Sequence, residues 1–208
     1  MAGSTRELGT PSGRGDRTAF VAMLRAVNVG GRNRVPMDQL RELAAALGHS
    51  RVSTYIQSGN LVFLGVRDDP TAVAAELEAA LAARFQLAVS VLVRTRKQMS
   101  ETVASWPQSD DLETSRHVTF LASEPDSRLA EALDPSRGLP DRFWIAGGDI
   151  YLSCALGYGQ TKLNNAFFER SLRVAATTRN WATVRRLLAM ANALGPASGR
   201  PPESDGTT

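Results

Sequence analysis

The chain has 208 residues, of which 43% are hydrophobic, and a formal net charge of +3, so it is long enough for one large domain or two small ones. Its one cysteine, Cys154, excludes an internal disulfide, and only two histidines accompany it as ligands for zinc. The first residues lack the apolar centre of a signal peptide, and no segment is apolar for long enough to span a membrane. We therefore expect a cytoplasmic protein without a metal site, a cofactor or a membrane partner.

The first part of the chain has the pattern of a ferredoxin-like lobe. A short apolar run at 18–25 predicts a buried strand, and apolar residues at helical spacing predict a helix over 36–47. A β-hairpin follows with its turn at Ser58-Gly-Asn60, then a helix that begins at Asp69-Pro70 and a buried strand at 89–93. The order β-α-β-β-α-β over residues 18–95 predicts the split βαβ arrangement.

The second part, residues 96–193, predicts a smaller α+β lobe that ends in helices. The predicted helices cover 96–105, 126–133, 163–172 and 181–193, and the predicted strands cover 117–122, 143–146 and 150–154. The terminal segments, 1–17 and 194–208, are rich in Gly, Pro, Ser, Thr and charged residues, so we predict flexible tails there. The fold class is therefore α+β with two lobes. The similar element order suggests a duplication, although no sequence repeat is visible.

Asparagine and positive charge cluster in the same stretches of the chain. Six of the seven asparagines lie in residues 28–33, at Asn60, or in residues 164–180. Residues 17–34 contain four arginines and no acid, and residues 160–186 contain six basic residues against Glu169. Asparagine tolerates left-handed backbone and carries both a donor and an acceptor, so these stretches are predicted to be shaped polar loops. Chance scatter in an arginine-rich chain is the alternative explanation.

The segment Asn28-Val-Gly-Gly-Arg-Asn-Arg34 has the chemistry of an anion-binding loop. Its paired glycines allow backbone N–H groups to converge on an anion, and Arg32 and Arg34 add guanidinium donors beside Arg25 and a helix start at Pro36. A plain strand-to-helix connection with solvated arginines is the alternative.

Two later segments could complete such a site. Lys162 opens a predicted helix beside Asn164 and Asn165, although it is also explained as an exposed helix-start lysine. In Thr177-Thr-Arg-Asn-Trp181, a helix cap accounts for Thr178 or Asn180 but leaves Arg179 unexplained. The Trp181 ring could stack on a base, but its phase with an apolar helix face favours the core.

No catalytic group stands out in the sequence. Neither His49 nor His117 has a neighbouring nucleophile or carboxylate arrangement, and Cys154 is predicted to be a small buried hydrophobe. On the first lobe, Phe20 and Phe63 lack an aromatic RNA-binding signature and are expected in the core. We therefore predict no catalytic residue.

Four separated motifs resemble the bacterial domain-of-unknown-function family 1697. They are Leu24-Arg-Ala-Val-Asn-Val-Gly-Gly-Arg-Asn-Arg-Val-Pro-Met37, Thr54-Tyr-Ile-Gln-Ser-Gly-Asn60, Thr161-Lys-Leu-Asn-Asn165 and Ala176-Thr-Thr-Arg-Asn-Trp181. Ala26 departs from the glycine that the family has at this position. The resemblance implies a two-lobed α+β fold with a ferredoxin-like part, and it implies no activity.

From these observations we predict a binding protein for an anionic ligand, with nucleic acid or nucleotide preferred over other anionic small molecules. The predicted binding residues are Arg25, Asn28, Gly30, Gly31, Arg32, Asn33, Arg34, Gln57, Ser58, Asn60, Lys162, Asn164, Asn165, Thr177, Thr178, Arg179, Asn180 and Trp181. The alternatives are an enzyme acting on a nucleotide or phosphorylated metabolite, and a protein that sequesters a small molecule. The prediction requires the two basic segments to lie close together in the fold.

Overall fold

A computed structural model describes residues 17–31, 33–107 and 112–195. The predicted tails lie outside these ranges except for Arg17, Leu194 and Gly195. Arg32, a predicted site residue, also lies outside them. The remaining site residues are all described.

The first sheet confirms the predicted ferredoxin-like arrangement. Its elements are β1 (Ala19–Leu24), α1 (Met37–Ala46), β2 (Ser50–Tyr55), β3 (Asn60–Leu64), α2 (Pro70–Phe85) and β4 (Val91–Thr95). The strands are antiparallel in the order β2-β3-β1-β4, with Phe20 opposite Phe63 in the central pair. The β1–α1 connection and the β2–β3 turn therefore lie side by side, at the end of the sheet where β1 ends.

The second sheet has the same strand order as the first. After α3 (Arg96–Ala104) come β5 (Arg116–Leu121), α4 (Ser127–Glu131), β6 (Arg142–Ala146), β7 (Asp149–Ser153), α5 (Asn165–Leu172), β8 (Ala176–Asn180) and α6 (Trp181–Ala193). Its antiparallel order is β6-β7-β5-β8. The sequence pattern predicted every strand of this sheet except β8, whose polar residues were assigned to a loop.

Three buried clusters make up the core, and one of them lies between the two sheets. On one face of the first sheet, Phe20 and Phe63 pack against α1 and α2, which confirms that they are core residues. The opposite face packs against α3, against α6, which contributes Trp181, and against residues of the second sheet, including Phe120 and Tyr151. Helices α4 and α5 cover the other face of the second sheet. The first sheet is thus covered on both faces, which removes the open platform that sheet-based RNA recognition needs.

None of the helices in the described ranges is both long enough and apolar enough to cross a membrane. In the same part of the chain, no three His, Cys, Asp or Glu side chains are grouped so that they could hold a metal ion.

Candidate functional site

Asparagine side chains fix the connection between β1 and α1. The Nδ2 group of Asn28 donates to the carbonyl oxygens of Val35 (2.9 Å) and Gln57 (2.8 Å), and its Oδ1 accepts from the N–H of Val35 (2.9 Å). Asn33 donates to the carbonyl of Ala26 (3.1 Å), and its own carbonyl accepts from the N–H of Asn28 (3.1 Å). The two asparagines therefore shape the loop, as predicted, through bonds within the protein.

The backbone of this region has an unusual concentration of left-handed residues. Positive φ angles occur at Ala26 (52°), Asn28 (55°), Gly30 (59°), Gly31 (75°), Asn33 (49°), Ile56 (49°) and Gly59 (70°). Such angles are uncommon outside glycine and are a real outlier for a β-branched residue such as Ile56. Strained backbone of this kind persists only where the surroundings hold it, and it is common at binding sites.

The turn between β2 and β3 packs against the end of β1. The Gly59 carbonyl accepts from the N–H of Leu24 (2.8 Å), and the fully buried Asn60 donates to the Tyr55 carbonyl (3.2 Å) and to Ser58 Oγ (2.9 Å). Because Asn28 reaches Gln57 in the same turn, the β1–α1 connection and the turn form one unit. We call the described residues 26–31, 33–36 and 56–60 together the loop–turn surface.

A cleft of about 500 Å³ opens in the loop–turn surface. Its lining residues are Asn28, Gly31, Arg34, Val35, Pro36 and Gln57. The Arg34 side chain is exposed, and a Cβ added to Gly31 would meet no atom within 4 Å, so the backbone here is open to a ligand. Helix α1 begins directly after Pro36, and no side chain of the described residues caps its first N–H groups.

Arg179 joins the two basic segments, but its donors are occupied by the protein. Nε donates to Asn60 Oδ1 (2.6 Å), and Nη2 donates to the carbonyls of Leu24 (2.9 Å) and Ser58 (3.2 Å). Nη1 donates to Thr177 Oγ1 (2.8 Å) and to the Thr178 carbonyl (2.9 Å). The segments do lie together, whereas the expectation that Arg179 contacts a ligand needs correction because all five N–H donors are already used.

The Arg179 guanidinium is buried without a negative partner among these acceptors. Only 9% of the residue is exposed, and burial lowers its pKa to about 10, with the nearby Tyr158 hydroxyl opposing that change. A pKa of this size keeps the group charged at neutral pH. The acceptors are three carbonyls, one amide oxygen and one hydroxyl, so the positive charge beneath the loop–turn surface is held by dipoles alone.

Arg25 is also engaged within the protein. Its Nε and Nη2 groups form a two-pronged ion pair with Glu169 of α5, at 2.5 and 2.6 Å, and Glu169 Oε1 also accepts from the N–H of Ala176 (2.9 Å). The hydrogen bond to Glu169 raises the pKa of Arg25, whereas the pKa of Glu169 is lowered by Arg25 in spite of burial. The expected free charge of Arg25 is therefore neutralised. The sequence offered a signal for this pair, because Glu169 is the one acid in its basic segment.

Most of the other predicted residues after position 160 have structural partners. Asn164 caps α5 through the Phe167 N–H (3.0 Å), and Asn180 caps α6 through the Thr183 N–H (2.8 Å). The Thr178 hydroxyl bonds to Asn165 Oδ1 and to Thr119, both at 2.6 Å, and the Thr177 hydroxyl accepts from Arg179. Trp181 is 5% exposed and packs edge-on against Trp106, so it is a core residue rather than a surface for stacking a base.

Lys162 is exposed, and no hydrogen bond or ion pair within the described residues connects it to the loop–turn surface. Of the eighteen predicted residues, the structure leaves Gly30, Gly31, Arg34 and Gln57 open beside the cleft. Val35 and Pro36 line the same cleft and were missed as site residues, because their apolar side chains gave no chemical signal.

A larger cleft of about 610 Å³ lies elsewhere, between α2, α3, β4 and the β6–β7 turn. Its lining includes Glu78, Glu101, Glu124 and Asp149, against one arginine, Arg94. Arg94 Nη2 is already bonded to Asp149 (3.1 Å) and to two carbonyls. The excess of carboxylates makes this cleft a poor place for an anion.

Comparison with known proteins identifies a family over most of the chain. The family model described as "Protein of unknown function (DUF1697)" matches residues 17–151. The chain belongs to this family. The DUF1697 match includes the whole first sheet and the loop–turn surface, and extends into β7. A search of curated proteins found no match.

A solved structure is similar to this member of the DUF1697 family in fold. It is described as "The structure of conserved bacterial protein SP0830 from Streptococcus pneumoniae". The TM-score is 0.65 and the sequence identity is 23%, with 84% of this chain and 98% of that chain covered. The similarity therefore extends over both sheets and concerns the fold alone.

Proposed function

We propose that this protein binds an anionic ligand, nucleic acid or a nucleotide, at the cleft of the loop–turn surface. The observation that carries the proposal is the concentration of seven left-handed residues in the loop–turn surface, whose cleft is lined by exposed Arg34 and open Gly31. The chain maintains this backbone with internal hydrogen bonds, although none of the seven residues lies within a strand of either sheet. Strain that is held in an exposed loop supports a binding role.

The charges around the cleft favour an anion. Arg34 supplies an exposed guanidinium, the uncapped start of α1 supplies N–H groups and the positive end of a helix dipole, and buried Arg179 adds a charge behind the turn. Asp38 in the first turn of α1 opposes them in part. Phosphate groups match this set of donors, since guanidinium and backbone N–H groups both bind phosphate oxygens. Such ligands are abundant in the cytoplasm, which is the location that we propose.

The apolar side chains around the cleft suit a ligand that is more than a bare phosphate. Val29 is 64% exposed and Ile56 is 53% exposed, although both are aliphatic. Together with exposed Pro36, which lines the cleft, they offer apolar contact area next to the cationic group. A nucleotide or a nucleic-acid strand combines an anionic backbone with apolar base faces, which is the combination that this surface complements.

The proposal is tested by replacing Arg34 with alanine and measuring filter binding of labelled single-stranded RNA and DNA over a series of salt concentrations. We expect weaker binding and a slope of log K against log salt that is less negative by about 0.7, because one phosphate contact is lost. Unlabelled nucleotides added as competitors distinguish nucleotide from strand binding. Arg128→Ala, which removes an exposed arginine from α4, is the matched control and is expected to bind like the wild type. Equal affinity and slope for Arg34→Ala and wild type would reject the site.

A further inference from the structure

We propose that Arg179, in the second sheet, is the positioning residue that holds the loop–turn surface of the first sheet in its binding shape. The inference rests on the proposed function, because it concerns how that site is maintained. Arg179 itself makes no ligand contact in this scheme. It acts through the turn between β2 and β3.

The five hydrogen bonds of Arg179 connect the two sheets at one point. Two bonds hold its head group on β8, to Thr177 and Thr178. The other three cross to the first unit and end on Asn60 Oδ1, the Ser58 carbonyl and the Leu24 carbonyl. A guanidinium is planar, with donors in fixed directions, so these acceptors are held in one relative arrangement. A lysine has the same charge but cannot reproduce that arrangement.

The arrangement extends from the turn to the cleft in two further contacts. Ser58, whose carbonyl accepts from Arg179, follows Gln57 directly, and the Gln57 carbonyl accepts from Asn28. Asn28 in turn holds both backbone groups of Val35 at the edge of the cleft. Displacement of the turn therefore displaces Asn28 and the cleft wall. The second sheet, which lines no part of the cleft, controls its geometry through this series of contacts.

Because Arg179 is buried, water does not readily replace the hydrogen bonds that it makes. Its partners Asn60 and Thr177 are 0% and 1% exposed, so Asn60 Oδ1 and Thr177 Oγ1 would each lose the donor that Arg179 supplies if the guanidinium were removed. Unsatisfied buried polar groups are costly, and the turn would relax to satisfy them. Loss of Arg179 is therefore expected to reshape the turn.

A double-mutant cycle separates this role from a general effect on folding. The probe is a fluorescein-labelled single-stranded RNA oligonucleotide, measured by anisotropy at a temperature where circular dichroism shows every variant to be folded. We expect Arg179→Gln and Asn28→Ala each to weaken binding by about tenfold. Both changes break the same series of contacts. We therefore expect the double variant to lose much less affinity than the hundredfold that two independent effects would give.

Arg179→Lys and Arg94→Gln complete the design. Arg179→Lys keeps the charge, so we expect most of the affinity loss without a change in the salt slope. Arg94 also bridges the two units, through the carbonyls of Leu121 and Gly148 and the carboxylate of Asp149, but it is not bonded to the turn. We therefore expect Arg94→Gln to lower stability without changing affinity. Amide hydrogen exchange is expected to be faster at residues 57–60 in Arg179→Lys than in wild type.

The outcomes distinguish the inference from the function on which it rests. If wild-type protein does not bind the oligonucleotide, the proposed function fails. If wild type binds and Arg179→Lys binds equally well with unchanged exchange in the turn, the positioning role is overturned while the site stands. Additive losses in the cycle, or an equal loss of affinity in Arg94→Gln, would also overturn it.

Discussion

At position 59 the backbone leaves no room for a side chain. A Cβ there would overlap Val27 Cγ2 and lie 2.8 Å from Leu24 Cβ, and φ is +70°. We expect Gly59→Ala to lower the free energy of unfolding by roughly 3 kcal/mol, from overpacking together with left-handed backbone strain. Gly30→Ala is the matched control, because φ is +59° and nothing lies within 4 Å, so about 1 kcal/mol is expected. Equal losses in urea denaturation would contradict the role of close packing at Gly59.

Buried His49 makes stability depend on pH. The residue is 4% exposed, its ring lies 4.5 Å from that of Phe63, and neither ring nitrogen has a hydrogen-bond partner among the described residues. Burial lowers its pKa below the ordinary 6.5, against the attraction of Glu76 and with the help of Arg17. The unfolded chain thus takes up protons first, and stability falls as the pH drops from 6.5 toward the lower folded pKa.

The measurement is the free energy of unfolding in urea at pH about 7.5 and about 5.5, for wild type and His49→Phe. Phenylalanine keeps the aromatic packing and cannot be protonated, so we expect a smaller loss of stability on acidification. His117, whose pKa is also lowered by burial, contributes to the dependence that remains. An identical loss in both proteins would show that His49 does not titrate in this way.

Sequence reasoning expected Arg25 and Arg179 to face a ligand, whereas the structure pairs both with groups of the protein. It required the segment containing Arg179 to lie beside the β1–α1 connection, but the donor count of a guanidinium could not show that three separate segments would supply all its acceptors. Arg25 was expected to be free, although Glu169 follows it by 144 positions and meets it only in the folded chain. The local sequence shows where charged residues lie along the chain, whereas tertiary contacts decide which of those charges are paired.

Helix caps account for two of the asparagines that sequence reasoning assigned to a ligand. Asn180 accepts from the Thr183 N–H at the start of α6, so Asn180→Ala is expected to cost about 1 kcal/mol of stability without changing RNA affinity. Asn180→Asp retains the cap and is expected to keep most of the stability. Thermal unfolding and filter binding check the two properties separately. Weaker binding at unchanged stability would return Asn180 to the ligand-contacting residues.

Strand prediction succeeded where the apolar pattern was strong. The apolar runs of β1 and β3 predicted these strands to within a few residues, and the turn signal at Gly147-Gly148 did the same for the strands beside it. Strand β8 was missed because its sequence, Ala-Thr-Thr-Arg-Asn, contains one apolar residue and ends in a helix cap. It pairs with β5 on one side only, and an edge strand tolerates polar side chains that a central strand would not.

Across the whole molecule, the Arg25–Glu169 pair joins the end of β1 to α5 and withdraws one positive charge from the region near the loop–turn surface. Glu169→Gln is expected to lower stability by about 1 kcal/mol, as for a partly exposed ion pair. It also frees the Arg25 charge, so we expect tighter RNA binding with a steeper salt dependence, the opposite of Arg34→Ala.

Glu113→Gln is the control for this change, because it breaks the exposed pair with Arg185 and is expected to leave binding unchanged. Salt-dependent filter binding measures both variants. A Glu169→Gln protein with the affinity and salt slope of wild type would show that Arg25 does not contribute to the field at the cleft.

The shared strand order bears on how the two halves of the chain are related. Each element of the first unit has a counterpart in the second, yet the connection from β1 to α1 runs over residues 25–36, whereas that from β5 to α4 runs only over residues 122–126. We expect this symmetry to reflect a tandem copy of an ancestral gene. The first half alone has the long, glycine-rich connection, and the second half contributes Arg179, which contacts the β2–β3 turn, and Glu169, which pairs with Arg25. In a homologue with a shortened β1–α1 connection, we then expect no selection to retain Arg179 and Glu169.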